Sequence, residues 1–218
     1  TLGGTGSLGG TVTVNSGGKI TGATDGTVGT LTVGGLSFNG GTYQADLSGT
    51  TADRITTAGT VDLDTGTAGS FTLNQLGGAT TPTNEFVLID NTAAGAIVDP
   101  PLTGAAEGAS TTVDGKNAVY SYLGGDGGND FTLTVAGNVT YTGTGAAEDF
   151  QLRVVDNGGN PLVQLLQGVT ISVAGGAITV FGGAVVDSRP LGTVDSYTIA
   201  AVGGDDQLVI DYAANDEP

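Results

Sequence analysis

The sequence contains no cysteine, histidine, methionine or tryptophan, and aromatic residues make up only 6% of its 218 positions. Without histidine, a nucleophile–His–acid triad is excluded. Without cysteine, disulfide stapling and thiol chemistry are excluded as well. Because aromatic residues are so few, the core must be built from small aliphatic side chains. Such a core suits thin, repetitive β structure better than a bulky globule.

The sequence also contains few positively charged residues. Five Lys and Arg residues stand against 22 Asp and Glu residues, which gives a net charge of −17. We expect no nucleic-acid partner, because five scattered cations cannot form a basic patch. An anionic membrane surface would repel the chain. Acidity of this kind keeps an exposed protein soluble, and it makes cations the natural small partners.

The sequence also lacks a signal peptide and a long apolar run, so we predict no membrane insertion. The chain opens at Thr1, without Met, inside a Gly-rich strand pattern. That opening is typical of a processed or excised piece of a longer protein.

Short segments in which Val, Ile, Leu and Thr alternate with period two recur along the chain, and Gly, Asn or Asp bounds nearly all of them. We predict strands at 10–15, 29–39, 42–47, 53–63, 69–76, 85–90, 118–123, 130–137, 138–143, 149–156, 161–166, 169–183, 196–202 and 207–212. No segment of ten or more residues shows the 3.6-residue period of an amphipathic helix. The sequence therefore predicts an all-β fold.

The spacing of the strands favours a β-solenoid, similar to a parallel β-helix, for a first module at 1–137. There "GTVTV" (10–14) returns as "GTLTV" (29–33), nineteen residues on, about one coil later. Successive coils would pair their strands and stack inward Val, Leu and Ile. The strands after the boundary near Gly137 are longer and better suited to antiparallel pairing. We therefore predict a second β module at 138–218, for which a β-sandwich is the alternative.

The ordered series "GTLTVGGLSFNGGTYQADLSGTTADRITTAGTVDLD" (29–64) resembles the passenger repeats of bacterial autotransporters and related giant surface adhesins, as does the stretch before it from Gly9. The segment "FVLIDNTAAGAI" (86–97), followed by "EGASTTVDGKNAVYSYLGGDGGNDFTLTV" (107–135), is similar to the end of such a module. The resemblance covers roughly residues 1–137. It implies an extracellular, cell-surface protein with a structural or adhesive role, and it brings no catalytic residues with it.

Turns rich in Gly and Asp raise the question of calcium. Calcium-loading β-rolls repeat GGxGxDxUx every nine residues, and Ca²⁺ takes six to eight oxygen ligands. "GGDGGNDFTL" (124–133) has one residue too many, and "GGDDQLVI" (203–210) is too short. An Asp at a strand entrance also accepts backbone N–H bonds with no metal present. If calcium binds, Asp126, Asn129 and Asp130 are the predicted ligands, followed by Asp205 and Asp206.

We do not expect an enzyme, although 22 acidic residues always allow a carboxylate pair of the glycosidase type. The main hypothesis is an extracellular structural or adhesive protein that forms a filament or a stalk. Its partners would be further copies or the flanking modules of one long chain, joined through open strand edges. The uncharged start "TLGGTGSLGGTVTV" offers such an edge, and the acidic tail of "QLVIDYAANDEP" is a candidate cap. The alternative is a β-helix that binds or cleaves glycans.

Overall fold

The computed structural model describes residues 1–82, 84–95, 97, 100–144, 146–156, 161–174, 177–200 and 203–211. The described residues form eighteen strands and one short 3-10 turn, Leu191–Thr193, with no α-helix among them. The predicted all-β class is confirmed. The chain divides into two compact units, Thr1–Ala136 and Gly137–Pro218. The acidic tail predicted as a cap falls on residues 212–218, which lie outside the described residues.

Twelve strands belong to the first unit. They are β1 (Ser7–Asn15), β2 (Lys19–Ile20), β3 (Thr30–Asn39), β4 (Thr42–Ser48), β5 (Thr51–Ala52), β6 (Arg54–Thr57), β7 (Val61–Asp62), β8 (Ser70–Gly77), β9 (Glu85–Asn91), β10 (Ser110–Val113), β11 (Lys116–Gly124) and β12 (Asp130–Val135). One sheet has the order β1-β3-β6-β9-β12-β11-β10, with β7 also paired to β3. The other sheet joins β2, β4 and β5, and β8 pairs with β4.

Parallel pairing between successive coils builds the first unit, as expected for a solenoid. The pairs β1–β3, β3–β6, β6–β9, β2–β4 and β4–β8 are all parallel. Inward side chains stack from coil to coil, with Val12 opposite Leu36 and Val14 opposite Phe38. Leu36 and Phe38 have no exposed surface, so each coil closes the apolar layer of the one before it.

The predicted nineteen-residue coil step is wrong, because the observed step is longer. "GTVTV" (10–14) lies beside "GGLSF" (34–38) and not beside "GTLTV". A column of glycines at 9, 34 and 59 shows the reason. A Cβ on Gly34 would overlap the Gly9 carbonyl oxygen, and a Cβ on Gly59 would overlap the Gly34 carbonyl oxygen. Neighbouring coils touch backbone to backbone at these positions, which fixes the register.

The parallel stack ends in antiparallel strands. β12 pairs antiparallel with β9 and β11, and β11 pairs antiparallel with β10. This end carries the aromatic part of the core, where the Phe131 ring stacks on Tyr122 at 4.5 Å and meets Phe71 edge-on at 5.2 Å. Offset and edge-on aromatic pairs add to the free energy of burial. The meander therefore closes the stack with its largest side chains.

Six strands form the second unit. They are β13 (Gly137–Thr142), β14 (Asp149–Val155), β15 (Leu162–Ala174), β16 (Ala177–Pro190), β17 (Val194–Ala200) and β18 (Gln207–Asp211). β13 and β17 make a two-stranded sheet, and the order of the other sheet is β16-β15-β14-β18. The two sheets contact each other through Tyr141, whose ring lies 5.9 Å from that of Phe150. The pairing is mixed, because only β14–β15 and β15–β16 are antiparallel.

The second unit also contains two stacked coils. β13 pairs parallel with β17, and β14 pairs parallel with β18. The offset along the chain is the same in both pairs, with Val139 opposite Tyr197 and Phe150 opposite Leu208. The long hairpin β15–β16 is inserted between these coils. Two of the predicted strands are split: 53–63 becomes β6 and β7, and 169–183 is divided between β15 and β16.

Candidate functional site

The turn between β11 and β12 is the first candidate ion site. Gly125, Gly127 and Gly128 have φ angles of +67°, +92° and +68°, which L-residues with side chains rarely adopt. The Gly125 N–H donates to Glu85 Oε1 at 2.8 Å. The glycines therefore serve a tight backbone path that ties the turn to the start of β9. Asp126, at the tip of the turn, is exposed.

Asn129 and Asp130 face the opposite end of β9. Asp130 is buried and accepts the Asn91 backbone N–H at 2.8 Å on Oδ1. Asn129 Nδ2 donates to the carbonyls of Asn91 at 2.7 Å and Ala93 at 2.6 Å. These bonds hold the chain that leaves β9 against the chain that enters β12. Two of the predicted ligands thus form a structural clasp.

The carboxyl group of Asp130 lies in an environment that disfavours charge. Burial is the main cause that raises the pKa of Asp130, and the hydrogen bond from Asn91 opposes it. The negative charges of Asp90, Glu85 and Asp126 raise this pKa further. A bound cation would reverse the effect of these carboxylates. The electrostatics of the turn are therefore sensitive to a cation.

The oxygen set of this turn is small for calcium. Asn129 Oδ1 is buried without a hydrogen-bond partner, which makes it the best-placed ligand. Asp130 already accepts a backbone N–H, and Asp126 is exposed. Within the described ranges, no group of three or more Asp or Glu residues is arranged to hold a metal ion. The oxygen ligands that this turn offers are fewer than the six to eight that Ca²⁺ takes. Calcium binding here therefore stays a prediction.

The second Gly-Asp turn precedes β18. Asp206 Oδ1 accepts the Glu148 N–H at 2.9 Å, and Asp205 is exposed. Glu148 lies at the matching position of the preceding coil and accepts the Thr144 hydroxyl at 2.6 Å and a bond from Gln167. The bond from Thr144 is the main cause that lowers the pKa of Glu148. These acids hold turns of successive coils together. In the described part of the chain, neither Asp205 nor Asp206 belongs to a group of three acids that could hold a metal ion.

Two fully buried carboxylates in the first unit were not predicted. Asp53 Oδ2 accepts the Thr21 hydroxyl at 2.6 Å and the Asp46 N–H at 3.2 Å, and its Oδ1 accepts the Gly29 N–H at 2.9 Å. Asp46 accepts the Gly26 N–H at 2.7 Å on Oδ2. Both side chains are thus supplied with donors by the loop that links two coils.

No sequence signal distinguishes these two carboxylates, which lie within and beside an alternating strand in "YQADLSGTTADRI" (43–55). Asp46 sits between the buried residues Ala45 and Leu47, whose side chains point to the other face of the strand, so the alternation alone predicts a solvated carboxylate there. Tyr43, on the same strand, donates its hydroxyl to the Leu88 carbonyl at 2.8 Å. Burial is the main cause that raises the pKa of Tyr43, and the charge of Asp53 adds to it. This network is structural, since buried polar groups require such partners.

A groove of about 910 Å³ lies on the four-stranded sheet of the second unit. Its lining combines aliphatic side chains of β16, the half-exposed ring of Phe181, and the polar side chains of Gln151, Arg153 and Asp211. Arg153 donates to Gln164 Oε1, and Gln151 lies 3.5 Å from Asp211. The groove offers one ring face and several hydrogen-bonding groups. No sequence motif had marked it.

Comparison of the chain with protein-family models, with curated proteins and with solved structures finds no match in any of the three. Residue patterns and geometry are therefore the grounds on which a function is proposed. In the described part of the chain, no helix is long and apolar enough to cross a membrane.

Proposed function

We propose that this chain is a non-enzymatic structural or adhesive module of a bacterial cell surface. It works outside the cell as part of a filament or stalk of stacked β modules. Its partners are further copies of itself or flanking modules of the same long chain. Neither nucleic acid binding nor membrane insertion is part of this function. The resemblance of residues 1–137 to autotransporter passengers supports the same assignment.

The observation that carries the proposal is the parallel stacking of coils in both units. In the first unit one step leads from Val12 to Leu36, and the next step, from Leu31 to Ile55, has the same length. In the second unit a longer step leads from Phe150 to Leu208. A parallel stack exposes an unpaired strand edge wherever no further element closes it, as at β1, and such an edge pairs with another strand. This geometry favours growth along one axis.

The first strand has the character of an unfinished edge. Within the described chain β1 pairs with β3 alone among the strands. Its sequence, "SLGGTVTVN", contains neither a charged residue nor a proline that would block pairing, and most of the strand is exposed. In the second unit, Leu208 and Ile210 of β18 lie opposite Phe150 and Leu152 yet remain 46% and 48% exposed. A further coil would cover both.

Glycan binding is the second candidate, and the groove of the second unit is the observation that favours it. Phe181 is 52% exposed there, and aromatic faces stack on sugar rings. Gln151, Arg153 and Asp211 line the same groove and offer the donors and acceptors that hydroxyl groups need. The groove has one acidic lining residue among those described, whereas glycoside cleavage takes two. Binding is therefore favoured over cleavage.

The test is electron microscopy of material from the native source, read together with the intact mass of that material. Fibres whose subunits have the mass of this chain support a filament. A far heavier single polypeptide on the cell surface supports a stalk. A soluble monomer away from the surface, or substantial turnover of a polysaccharide in a reducing-sugar assay, overturns the structural role. A glycan array tests the second candidate.

A matched pair of variants tests whether the edge of β1 is used. Thr13→Glu places a carboxylate on the outer strand, whereas Thr32→Glu places the same group on an exposed position of the inner strand β3. If copies associate through the edge, the first change should reduce fibre formation at least tenfold and the second should leave it nearly unchanged. Equal effects would contradict the use of this edge.

A further inference from the structure

The hairpin β15–β16 extends beyond the sheet to which it belongs. β15 and β16 pair with each other from Leu162–Pro190 at the base to Ala174–Ala177 at the tip. β14 pairs with β15 only as far as Gln167. The remaining ribbon, 168–174 with 177–183, is called the arm here. A two-stranded ribbon is marginally stable in water on its own, so contact with a further surface would stabilise this one.

One face of the arm is aliphatic. Residues paired across the ladder point to the same side of a sheet, and the pairs Ile171–Val180 and Val173–Ile178 share one face. Val173 is 70% exposed and Ile178 is 61% exposed. These four residues are called the stripe. The pair between them, at positions 172 and 179, is Ser and Thr and lies on the opposite face.

The arm is also free of charge in a strongly charged molecule. No Asp, Glu, Lys or Arg occurs between positions 157 and 186, whereas the whole chain carries −17. Two copies of such a chain repel each other over most approaches, because like charges face like charges. The repulsion is weakest where both surfaces are uncharged. Contact through the arms therefore combines apolar burial with the smallest electrostatic cost.

Three glycines with positive φ angles lie at the base of the arm. Gly168, Gly182 and Gly183 have φ angles of +72°, +74° and +86°. A Cβ on Gly168 or Gly182 would meet no atom within 4 Å, so these two glycines are required by backbone conformation and not by lack of space. They lie next to the last pairing of β15 with β14, at Gln167. These glycines therefore mark the place where the arm leaves the part of β15 that pairs with β14.

We propose that the stripe packs against the stripe of a second copy of this chain. The contact is isologous, since the same patch serves both partners in a twofold pair. This contact is separate from the pairing through the strand edge of β1 proposed above. Ile178 and Val180 also line the groove of the second unit, so the dimer covers one side of that groove. A lipid surface is a poorer occupant, because the arm has no Trp, Tyr, Lys or Arg to anchor it at a membrane interface.

Sedimentation of the full chain in the Thr13→Glu background, chosen to weaken any pairing through the edge of β1, tests the proposal. The chain should dimerise there. Val173→Asp with Ile178→Asp should weaken the dimer by at least tenfold in Kd. Ser172→Asp with Thr179→Asp adds the same charges to the opposite face and should leave Kd within about twofold. Far-UV circular dichroism checks that each variant keeps its β structure. A chain that stays monomeric at every concentration overturns the proposal, as do equal effects of the two double variants.

Cross-linking gives an independent readout because the chain contains no cysteine. Under mild oxidation Val173→Cys should form disulfide-linked dimers in high yield, and Ser172→Cys should not. Equal yields would overturn an isologous contact through the stripe. Flotation with phosphatidylcholine vesicles, if seen without dimers, would assign the stripe to lipid and likewise overturn the proposal.

Discussion

Both units stack coils through parallel strands, but the first unit stacks more coils than the second. In the first unit, coils stack several deep and end in an antiparallel meander, and the large contiguous core from Val14 to Val135 lies entirely within it. In the second unit only two coils stack among the described residues, with the arm inserted between them. Stacking alone therefore does not make a core. It takes a third coil or a closing meander to bury the inward side chains.

Exposure of equivalent inward positions shows this directly. Leu31 and Ile55, paired on neighbouring strands of the first unit, are 3% and 0% exposed. In the second unit Phe150 is 1% exposed, but Leu208, paired with it on the next coil, is 46% exposed. The last coil of a stack is left with unburied apolar area. The second unit should accordingly be the less stable of the two.

The largest expected effect comes from truncating the central ring of each unit. Phe131 and Phe150 are both buried, and replacing a buried Phe by Ala costs about 3–5 kcal/mol. Phe131→Ala should weaken amide protection in the first unit without unfolding it. Phe150→Ala should remove protection throughout the second unit, which has less burial to lose. Hydrogen exchange with mass spectrometry on the full chain measures both.

The same hydrogen-exchange experiment could also contradict the predicted order of stability. If the two variants reduce protection equally in both units, the units share one cooperative transition and the difference in depth has no energetic meaning. If Phe131→Ala unfolds the first unit while Phe150→Ala leaves the second protected, the stability order is reversed.

The next effect concerns the close coil contact of the first unit. Gly34→Ala places a methyl group against the Gly9 carbonyl, and overpacking of this kind costs about 1–3 kcal/mol. Gly10→Ala is the matched control on the neighbouring strand, since its Cβ would meet nothing within 4 Å. Thermal unfolding should show a lower melting temperature for Gly34→Ala and almost none of that loss for Gly10→Ala. Similar losses would mean that the glycines do not set the register.

Much of the strand content could be predicted from the sequence, because inward Val, Leu and Ile alternate with outward Thr. β10 was missed because "STTV" (110–113) offers only one buried aliphatic residue, Val113. The segment 169–183 was predicted as one strand, although the Gly-Gly between its two alternating halves is itself a hairpin signal. The predicted coil step was wrong because it rested on the similarity of "GTVTV" to "GTLTV". The observed register follows the close contacts that glycines allow between neighbouring backbones.

The candidate ion site was less predictable than the fold. Gly-Asp turns were visible, and Asp130 is indeed buried beside Asn129. What the side chains do there depends on β9, far earlier in the chain, whose Asn91 and the following Ala93 supply the partners. Spacing along the chain carries no information about such a partner. For the same reason the buried pair Asp46 and Asp53 could not be separated from surface acids.

A third prediction uses acid titration. The contributions of Asp130, in the first unit, and Glu148, in the second, to the free energy of unfolding should depend on pH with opposite signs. The pKa of Asp130 is raised, so its contribution favours folding below the ordinary carboxyl pKa and is lost as pH rises through the folded value. The pKa of Glu148 is lowered, so its contribution is present above the ordinary value and is lost as pH falls through the folded value. The pKa of Asp114, lowered mainly by the hydrogen bond from Lys116, opposes the effect of Asp130 within the first unit. Single variants are therefore needed.

Neutral isosteres isolate each carboxyl group. Relative to wild type, Asp130→Asn should increase the free energy of unfolding most near neutral pH, and this gain should fade as pH falls through the raised folded pKa of Asp130 to the ordinary carboxyl value. Glu148→Gln should decrease the free energy of unfolding most near neutral pH, and this loss should fade as pH falls from the ordinary carboxyl value through the lowered folded pKa of Glu148. Urea unfolding at a series of pH values measures both differences. Two curves of the same sign would remove this contrast between the units.

Calcium removal is expected to have the smallest effect. Asp130 already accepts the Asn91 N–H, and the Asn129 amide nitrogen is committed to two carbonyls, so Asn129 Oδ1 is the buried oxygen of this turn left without a partner in the described structure. Adding EGTA should therefore change the melting temperature little. Calcium at a hundred times its Kd would add about 2.7 kcal/mol, which is a shift of several degrees. If such a shift appeared, were restored by Ca²⁺ but not Mg²⁺, and vanished in Asp130→Ala, the clasp at the first unit's closing turn would be a calcium site as well.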